Sequence, residues 1–317
     1  MPADSYKPGL HRYALSTGCM AMVTLVFGAL TTSKNAGMAF RDWPNSDGYL
    51  MVTYPWFRDF ASNWDKFLEH GHRLAGMMIG LWSIGLVVLL QRKEPRRWVV
   101  GLGYGVLSCV ILQGLLGGFR VVLDERGLAM VHGAFAACVL SLMASVAVVT
   151  SRRWFAAERY ATAPSAAHLK VWAGLTSAAI FGQFLLGGMI RHHGSGLHEH
   201  LGMGILTWIL IAVNAVVSHR SGISWVRRSG WMLFAIASFQ VVLGAGAWVL
   251  KWGFTWTGYV ATADSIAQVL HRTAHAVVGM LTFAAAIVHL VRVLRVSAVQ
   301  PQESWNPQSL LPSGGAT

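Results

Sequence analysis

Polar and charged residues divide this chain into eight long apolar runs: Ala14 to Thr32, Phe67 to Gln91, Trp98 to Phe119, Leu128 to Thr150, Leu169 to Ile190, Leu201 to Val217, Trp231 to Leu250 and Val269 to Val293. Each approaches the ~20 helical residues that cross a ~30 Å hydrocarbon layer. The pattern therefore predicts eight transmembrane helices. Three linking segments stand out. Ser33 to Lys66 is long and carries Asp42-Trp43-Pro44 with Tyr49, Tyr54, Trp56, Phe57 and Trp64. It predicts a structured cap at the membrane interface, the depth that Trp and Tyr favour. Lys251 to Gln268, with Trp252, Phe254, Trp256 and Tyr259, stands in the equivalent place later in the chain. Gln300 to Thr317, rich in Pro, Ser, Gly and Gln, reads as a disordered tail.

The helices repeat as hairpins. The odd ones carry Thr24-x-x-x-Gly28, Gln113-x-x-x-Gly117, Gln183-x-x-x-Gly187 and Gln240-x-x-x-Gly244. The even ones open on Glu69-His70-Gly71-His72-Arg73, Met130-Val131-His132-Gly133, His198-Glu199-His200-Leu201 and Gln268-Val269-Leu270-His271-Arg272. Four hairpins give an all-α integral membrane fold: two pseudo-symmetric four-helix bundles related along the membrane normal. The N-terminal half is expected over residues 1–160, the C-terminal half over 161–299 and the cytoplasmic tail over 300–317. Glycines at one-turn spacing let helices approach closely in lipid, and they also leave room for a flat ring against a helix backbone.

Composition agrees with a membrane protein: 54% of the 317 residues are hydrophobic and 12% charged, with a mean hydropathy of +0.49. The net charge of +12 raises the question of nucleic acid. Its distribution answers it. With adjoining helix ends counted, the segments on the side of the N-terminus hold 15 of the 25 Lys and Arg but 4 of the 13 acids. The basicity is topogenic: by the positive-inside rule this side is cytoplasmic, both termini are inside, and no nucleic-acid partner is implied. The first run is too long for a signal peptide and shares the odd-helix motif. The three cysteines, Cys19, Cys109 and Cys138, all lie within predicted helices, so no loop disulfide or CxxCH attachment is available.

Every even helix runs inward, and its key histidine stands within about a turn of the outer end. Polar groups within a membrane are costly and mark function. Pairing within each half sets His72 opposite His132 and His200 opposite His271, the arrangement by which a four-helix core grips a haem iron axially. The candidate metal ligands are thus His72, His132, His200 and His271. His70, His198 and His275 are close enough to replace a neighbour or to support it; His275 follows His271 by one turn on the same face. The remaining histidines, His289 among them, are expected mostly at the surface. Haem propionates need cations, for which Arg73, Arg272, Arg120 and Arg191 are the candidates. Glu69 shares the helix face of His72, and no acid stands at that offset in the other even helices. Beside a haem it could exchange protons or stabilise a developing cation, so the first half is expected to react and the second to assist.

These residues resemble the haem A synthase family. The likeness rests on the eight helices, Phe27-Gly28-Ala29-Leu30-Thr31, Asn35-Ala36-Gly37-Met38 leading to Asp42-Trp43-Pro44, Glu69-x-x-His72-Arg73, and histidines opening helices 4, 6 and 8. The resemblance implies a multi-pass protein of the bacterial inner membrane that oxidises a methyl group of haem O to the formyl group of haem A by successive hydroxylations. It implies haem O between His72 and His132, Glu69 as the catalytic residue, and an electron-relaying haem b, with its iron, between His200 and His271. The implied partners are haem O, a haem O synthase handing it over, an electron donor that the chain does not identify, and membrane lipid; a homo-oligomer is compatible. One departure is clear. Many bacterial members carry a cysteine pair around Asp-Trp-Pro, whereas here Phe40 and Ser46 stand near those places and the loop has no cysteine.

The main competing reading is a bis-histidine di-haem cytochrome acting only in electron transfer. Such carriers stack their haems at two depths, whereas these ligands cluster at one. A transporter would need broken helices and a midplane site, which the pattern does not offer.

Overall fold

Helix formation satisfies every backbone N–H and C=O within the segment, the only solution for an open chain in hydrocarbon. The computed structural model describes residues 6–157 and 165–297, and within them each apolar run lies inside a long helix, save Thr150, which stands at the C-cap of its helix. In chain order these are α1 (Pro8–Ser33), α2 (Trp56–Ser62), α3 (Trp64–Lys93), α4 (Arg97–Val122), α5 (Arg126–Val149), α6 (Arg152–Ala156), α7 (Ser165–His193), α8 (Leu197–Arg220), α9 (Ser224–Trp252) and α10 (Ile266–Val296). Eight of them, all but the short α2 and α6, are long and apolar enough to cross a membrane. The chain is a multi-pass, all-α membrane protein. The tail expected at 300–317 lies outside the described residues, as does the expected boundary at 160–161.

The helices outrun their apolar cores for local reasons. Pro8 opens α1 six residues before the first run, in the first turn where its missing N–H costs nothing. Asn63 caps α3, its side chain accepting from the Lys66 N–H at 3.1 Å, and Ser265 caps α10 by accepting from Gln268 N–H at 3.3 Å. Gly253, at φ +81°, ends α9. A methyl group there would come within 2.8 Å of the Tyr259 carbonyl oxygen.

Helices α1, α3, α4 and α5 pack in a ring, each touching the next, and α7, α8, α9 and α10 form a second ring. The rings meet where α5 and α10 pack on each other and on α1 and α7. Burial follows this order: 56% of the apolar window of α5 is buried against 17% of that of α9. Helix α5 is therefore the centre of the molecule, and α9 turns most of its surface to lipid. The links after α1, α4, α7 and α9 share one end, as Arg191 at the close of α7 shows by donating to Ser33 Oγ at the close of α1, at 3.1 Å. This is the loop end. Toward the other end, His289 lies buried between Ser229 Oγ (2.8 Å from Nδ1) and Ser218 Oγ (3.3 Å from Nε2). This corrects the surface position expected of it. Two serines on neighbouring helices supply its partners, a pairing that spacing within one helix cannot reveal.

Candidate functional site

Helices α3 and α5 stand diagonally across the first ring, so side chains they send inward meet at its axis. His72 and His132 do so, with ring centres 6.2 Å apart and planes at 89°. Each ring rests on a glycine of an odd helix. A methyl group on Gly28 would come within 2.7 Å of His72 Cε1, and one on Gly117 within 2.9 Å of His132 Cε1. His72 Nδ1 lies 3.0 Å from the Thr24 carbonyl oxygen. A carbonyl only accepts, so Nδ1 carries the proton and Nε2 is left as the electron-pair donor, the usual support of a metal-bound histidine. Gln113 Nε2 donates to the His132 carbonyl at 2.9 Å and lies 3.1 Å from Nδ1 of the same ring.

The second ring repeats this geometry with one change of residue. His200 on α8 faces His275 on α10, with centres 6.3 Å apart and planes at 82°. Gly187 seats His200 and Gly244 seats His275, with methyl-to-ring distances of 3.2 and 3.0 Å. Gln183 donates to the His200 carbonyl and Gln240 to the His275 carbonyl, both at 2.8 Å. His271, expected opposite His200, does not face it. Its Nδ1 bonds to Ala267 O of its own helix at 3.0 Å, and its ring lies by Gly246. The reason is register. The Gln-x-x-x-Gly seat on α9 decides which turn of α10 is at ligand level, and that turn is one past the His-Arg pair.

Two imidazoles on opposite sides of one metal have ring centres roughly 6.2 Å apart, from metal–nitrogen bonds of about 2.0 Å and about 1.1 Å from nitrogen to ring centre. Both pairs meet this separation. Aromatic contacts of other kinds also fall near 6 Å; each of these four rings, in addition, rests on the glycine of its own repeat motif. Among the described residues no group of three or more His, Cys, Asp or Glu is placed to hold a metal. A two-histidine site therefore suits a metal whose other ligands come from a macrocycle. His70 and His198 join neither pair. His70 is fully buried against Ser46 Oγ, 3.1 Å from Nδ1, and the rings of Tyr54 and Phe40; His198 is exposed.

The cations gather around these pairs but are largely engaged. Arg73 donates to the carbonyls of Asp42 and Asn45 at 2.8 and 2.7 Å, Arg120 to Gly37 O at 3.3 Å, and Arg191 to Ala29 O at 2.8 Å. Arg272 is half-buried and within electrostatic range of Arg191. A guanidinium has five donors, so Arg120 and Arg191 retain capacity for an anion. Glu69 is also committed. Its Oε2 accepts from the Ala39 and Phe40 N–H groups at 2.7 and 3.3 Å, and its Oε1 from Arg73 Nη2 at 2.7 Å. The carboxylate is thus bonded to the loop and to Arg73, partners that helix spacing does not reveal.

The loop itself is well tied. The Asp42 carboxylate accepts from the Asp47 and Gly48 N–H groups at 3.0 and 2.8 Å. Burial alone would raise its pKa, but these amides and the Arg73 charge outweigh it and hold the carboxyl below its usual range. Tyr54, bonded to Asp59 at 2.6 Å, is pushed above the ordinary phenol value by burial and then by that carboxylate.

The sequence profile of the cytochrome oxidase assembly protein family, COX15-CtaA, matches residues 1–144 and, overlapping, 60–199. Together these cover more than half of the chain. The chain belongs to that family. Among similar proteins are the haem A synthases of Symbiobacterium thermophilum (25% identical over 59% of this chain), Rhodopseudomonas palustris (27% over 39%) and Bacillus cereus (24% over 46%). The matched stretches span 61%, 36% and 44% of those relatives' own lengths. All four odd-helix glycines touch a paired histidine, but only Gly28, Gly117 and Gly187 lie within the stretch that the family profile matches.

Proposed function

We propose that this member of the COX15-CtaA family is a haem A synthase, converting the methyl group at one corner of haem O to a formyl group by successive hydroxylations. The observation that carries the reading is the pair of diagonal histidine sites with nearly equal separations, 6.2 and 6.3 Å, in a chain of this family. In this reading the N-terminal half holds the substrate haem O between His72 and His132, and the C-terminal half holds haem b between His200 and His275. A bound haem b supplies one-electron transfer. The protein's own groups do the rest. The glycine seats keep each imidazole against a rigid helix, Thr24 O fixes the tautomer of His72, and Arg120 and Arg191 offer donors to propionates. Haem O arrives from the bilayer or from its synthase. The asymmetry in charge between the two sets of links supports a bacterial inner-membrane protein with both termini cytoplasmic and the loop end outside.

The competing reading, a di-haem cytochrome, requires sites at two depths to carry electrons across the membrane. Both histidine pairs lie toward the loop end, which favours the synthase. The test is expression in a host that makes haem O but lacks its own synthase, followed by haem extraction and chromatography. Haem A is the expected product. Abundant, haem-loaded protein that yields haem B and haem O alone would instead establish the carrier.

A further inference from the structure

The first loop is fastened to the ring at both sides of the His72/His132 site. On the α3 side, Glu69, only 2% exposed, ties down the amides of Ala39 and Phe40, and Arg73 collects the carbonyls of Asp42 and Asn45. The side chains that seal this joint are Phe40, fully buried with the Arg73 guanidinium 5.0 Å from its ring centre, and His70 against Ser46. On the α4 side, Arg120 reaches Gly37 O, and the Trp43 indole lies flat on Gly118, where a methyl group would come within 2.3 Å of its ring. Gly118 is the residue after Gly117, the seat of His132. One buried carboxylate on α3 is therefore linked, through Arg73 and the Asp42-Trp43-Pro44 turn, to an indole packed on α4 one residue after the seat of His132.

We propose that Glu69 is a positioning residue, whose three hydrogen bonds hold the loop so that Trp43 closes the N-terminal site over Gly118. This rests on the assignment of that site to haem O, but the clamp is a property of the protein alone and is tested without turnover. A carboxylate held by two backbone N–H groups and a guanidinium makes charge-assisted bonds, the strong kind. Their loss lowers the cost of opening the loop locally.

The experiment measures amide hydrogen exchange of the full chain in lipid nanodiscs for the wild type, Glu69→Ala, Glu69→Gln and Trp43→Ala. Haem O turnover and its pH profile are measured on the same preparations, and the absorption spectrum of the His200/His275 site serves as the check of folding. Glu69→Ala is expected to speed exchange at Ala39 and Phe40 by roughly tenfold or more, and to lower turnover with the second site intact. Trp43→Ala is expected to lower turnover while Ala39 and Phe40 stay protected. Glu69→Gln, which keeps an oxygen for both amides, retains most of the protection and a wild-type pH profile. The proposal is overturned by unchanged exchange in Glu69→Ala, by wild-type turnover in Trp43→Ala, or by Glu69→Gln protein that keeps the loop closed but is as inactive as Glu69→Ala. The last outcome would make the carboxylate itself the proton-exchanging group. Wild-type protein that makes no haem A but shows the expected exchange pattern refutes the assigned reaction and leaves the clamp standing.

Discussion

Replacing His275 and His271 separately by alanine distinguishes the proposed ligand pair His200/His275 from the one that the His-Arg repeat suggests. The two residues stand four apart on α10, so their side chains leave the helix about 6 Å apart along its axis. The His200 ring faces His275 at 6.3 Å. For His271 to take that place, α10 would have to slide by about a full turn past α9. Such a slide would break the 2.8 Å bond from Gln240 to the His275 carbonyl and lift His275 from Gly244. Loss of a group that merely orients a metal ligand costs about 10–100-fold in affinity, and loss of the ligand itself costs at least as much. His275→Ala should therefore lose the low-spin, six-coordinate signature of one of two haems, seen in reduced-minus-oxidised absorption and electron paramagnetic resonance spectra, and lower haem content toward one per chain. His271→Ala should keep both signatures. The reverse result, low-spin haem lost in His271→Ala and kept in His275→Ala, would refute the register argument and restore the pairing suggested by sequence.

Gly117→Val would place branched carbon against His132, whose Cε1 already lies 2.9 Å from the position of a methyl group there. Overpacking of this kind costs about 1–3 kcal/mol; it should reduce haem retention at the N-terminal site while the C-terminal signature is unchanged, and equal loss at both sites would argue against a local seat. Asp42 carries a pH prediction. Its folded pKa is depressed below the ordinary 3.8, so its contribution to loop order is fully present above that value and is lost as pH falls through the folded value. Protection of the Asp47 and Gly48 amides, corrected for intrinsic exchange, should fall in acid for the wild type, whereas Asp42→Asn should show little of this dependence. Arg191→Leu removes the bonds by which α7 holds Ala29 and Ser33 at the end of α1. Hydrogen bonds from a charged group are worth about 1.5–3 kcal/mol, and the variant should melt at a lower temperature by intrinsic fluorescence; an unchanged midpoint would show that the tie carries no net stability.

The eight helices were legible because lipid imposes one length and one composition on whatever crosses it, and the apolar runs had both. That His72 would face His132, and His200 a histidine of the last helix, was legible because a repeated hairpin puts them at repeated places. The ring that faces His200 is not the expected His271, for a definable reason. His271-Arg272 copies His72-Arg73 in letters, but ligand level is set by the partner helix, and α9 places Gly244 against His275. The signal lies in the Gln240-x-x-x-Gly244 motif, which fixes register as well as marking the repeat. The partners of Glu69 were hidden for a different reason. Its helix face was inferred from spacing relative to His72, while its partners, the Ala39 and Phe40 amides, lie about thirty residues away on a loop whose path no periodicity describes.

The repeat is also unequal in its odd helices, and this bears on which half reacts. Three of them carry glutamine one turn before the glycine, and in each the side-chain amide donates to the carbonyl of the paired histidine at 2.8 to 2.9 Å. The first helix carries Thr24. Its hydroxyl donates instead to Ala75 O on α3 at 3.1 Å, and its own carbonyl oxygen takes the Nδ1 proton of His72. Each glutamine holds the backbone of its histidine, and Gln113 and Gln183 also lie 3.1 Å from the ring's Nδ1, whereas the Thr24 carbonyl accepts the Nδ1 proton and so fixes the tautomer of His72. His72 is thus defined from α1 as a ring, while the loop fastened by Glu69 defines the same end of α3 from above. If the first site binds a substrate that must enter and leave, its ligand has to keep its geometry while the site is empty. A ring held by a carbonyl needs no metal for that, and of the four paired histidines it is His72 that has one.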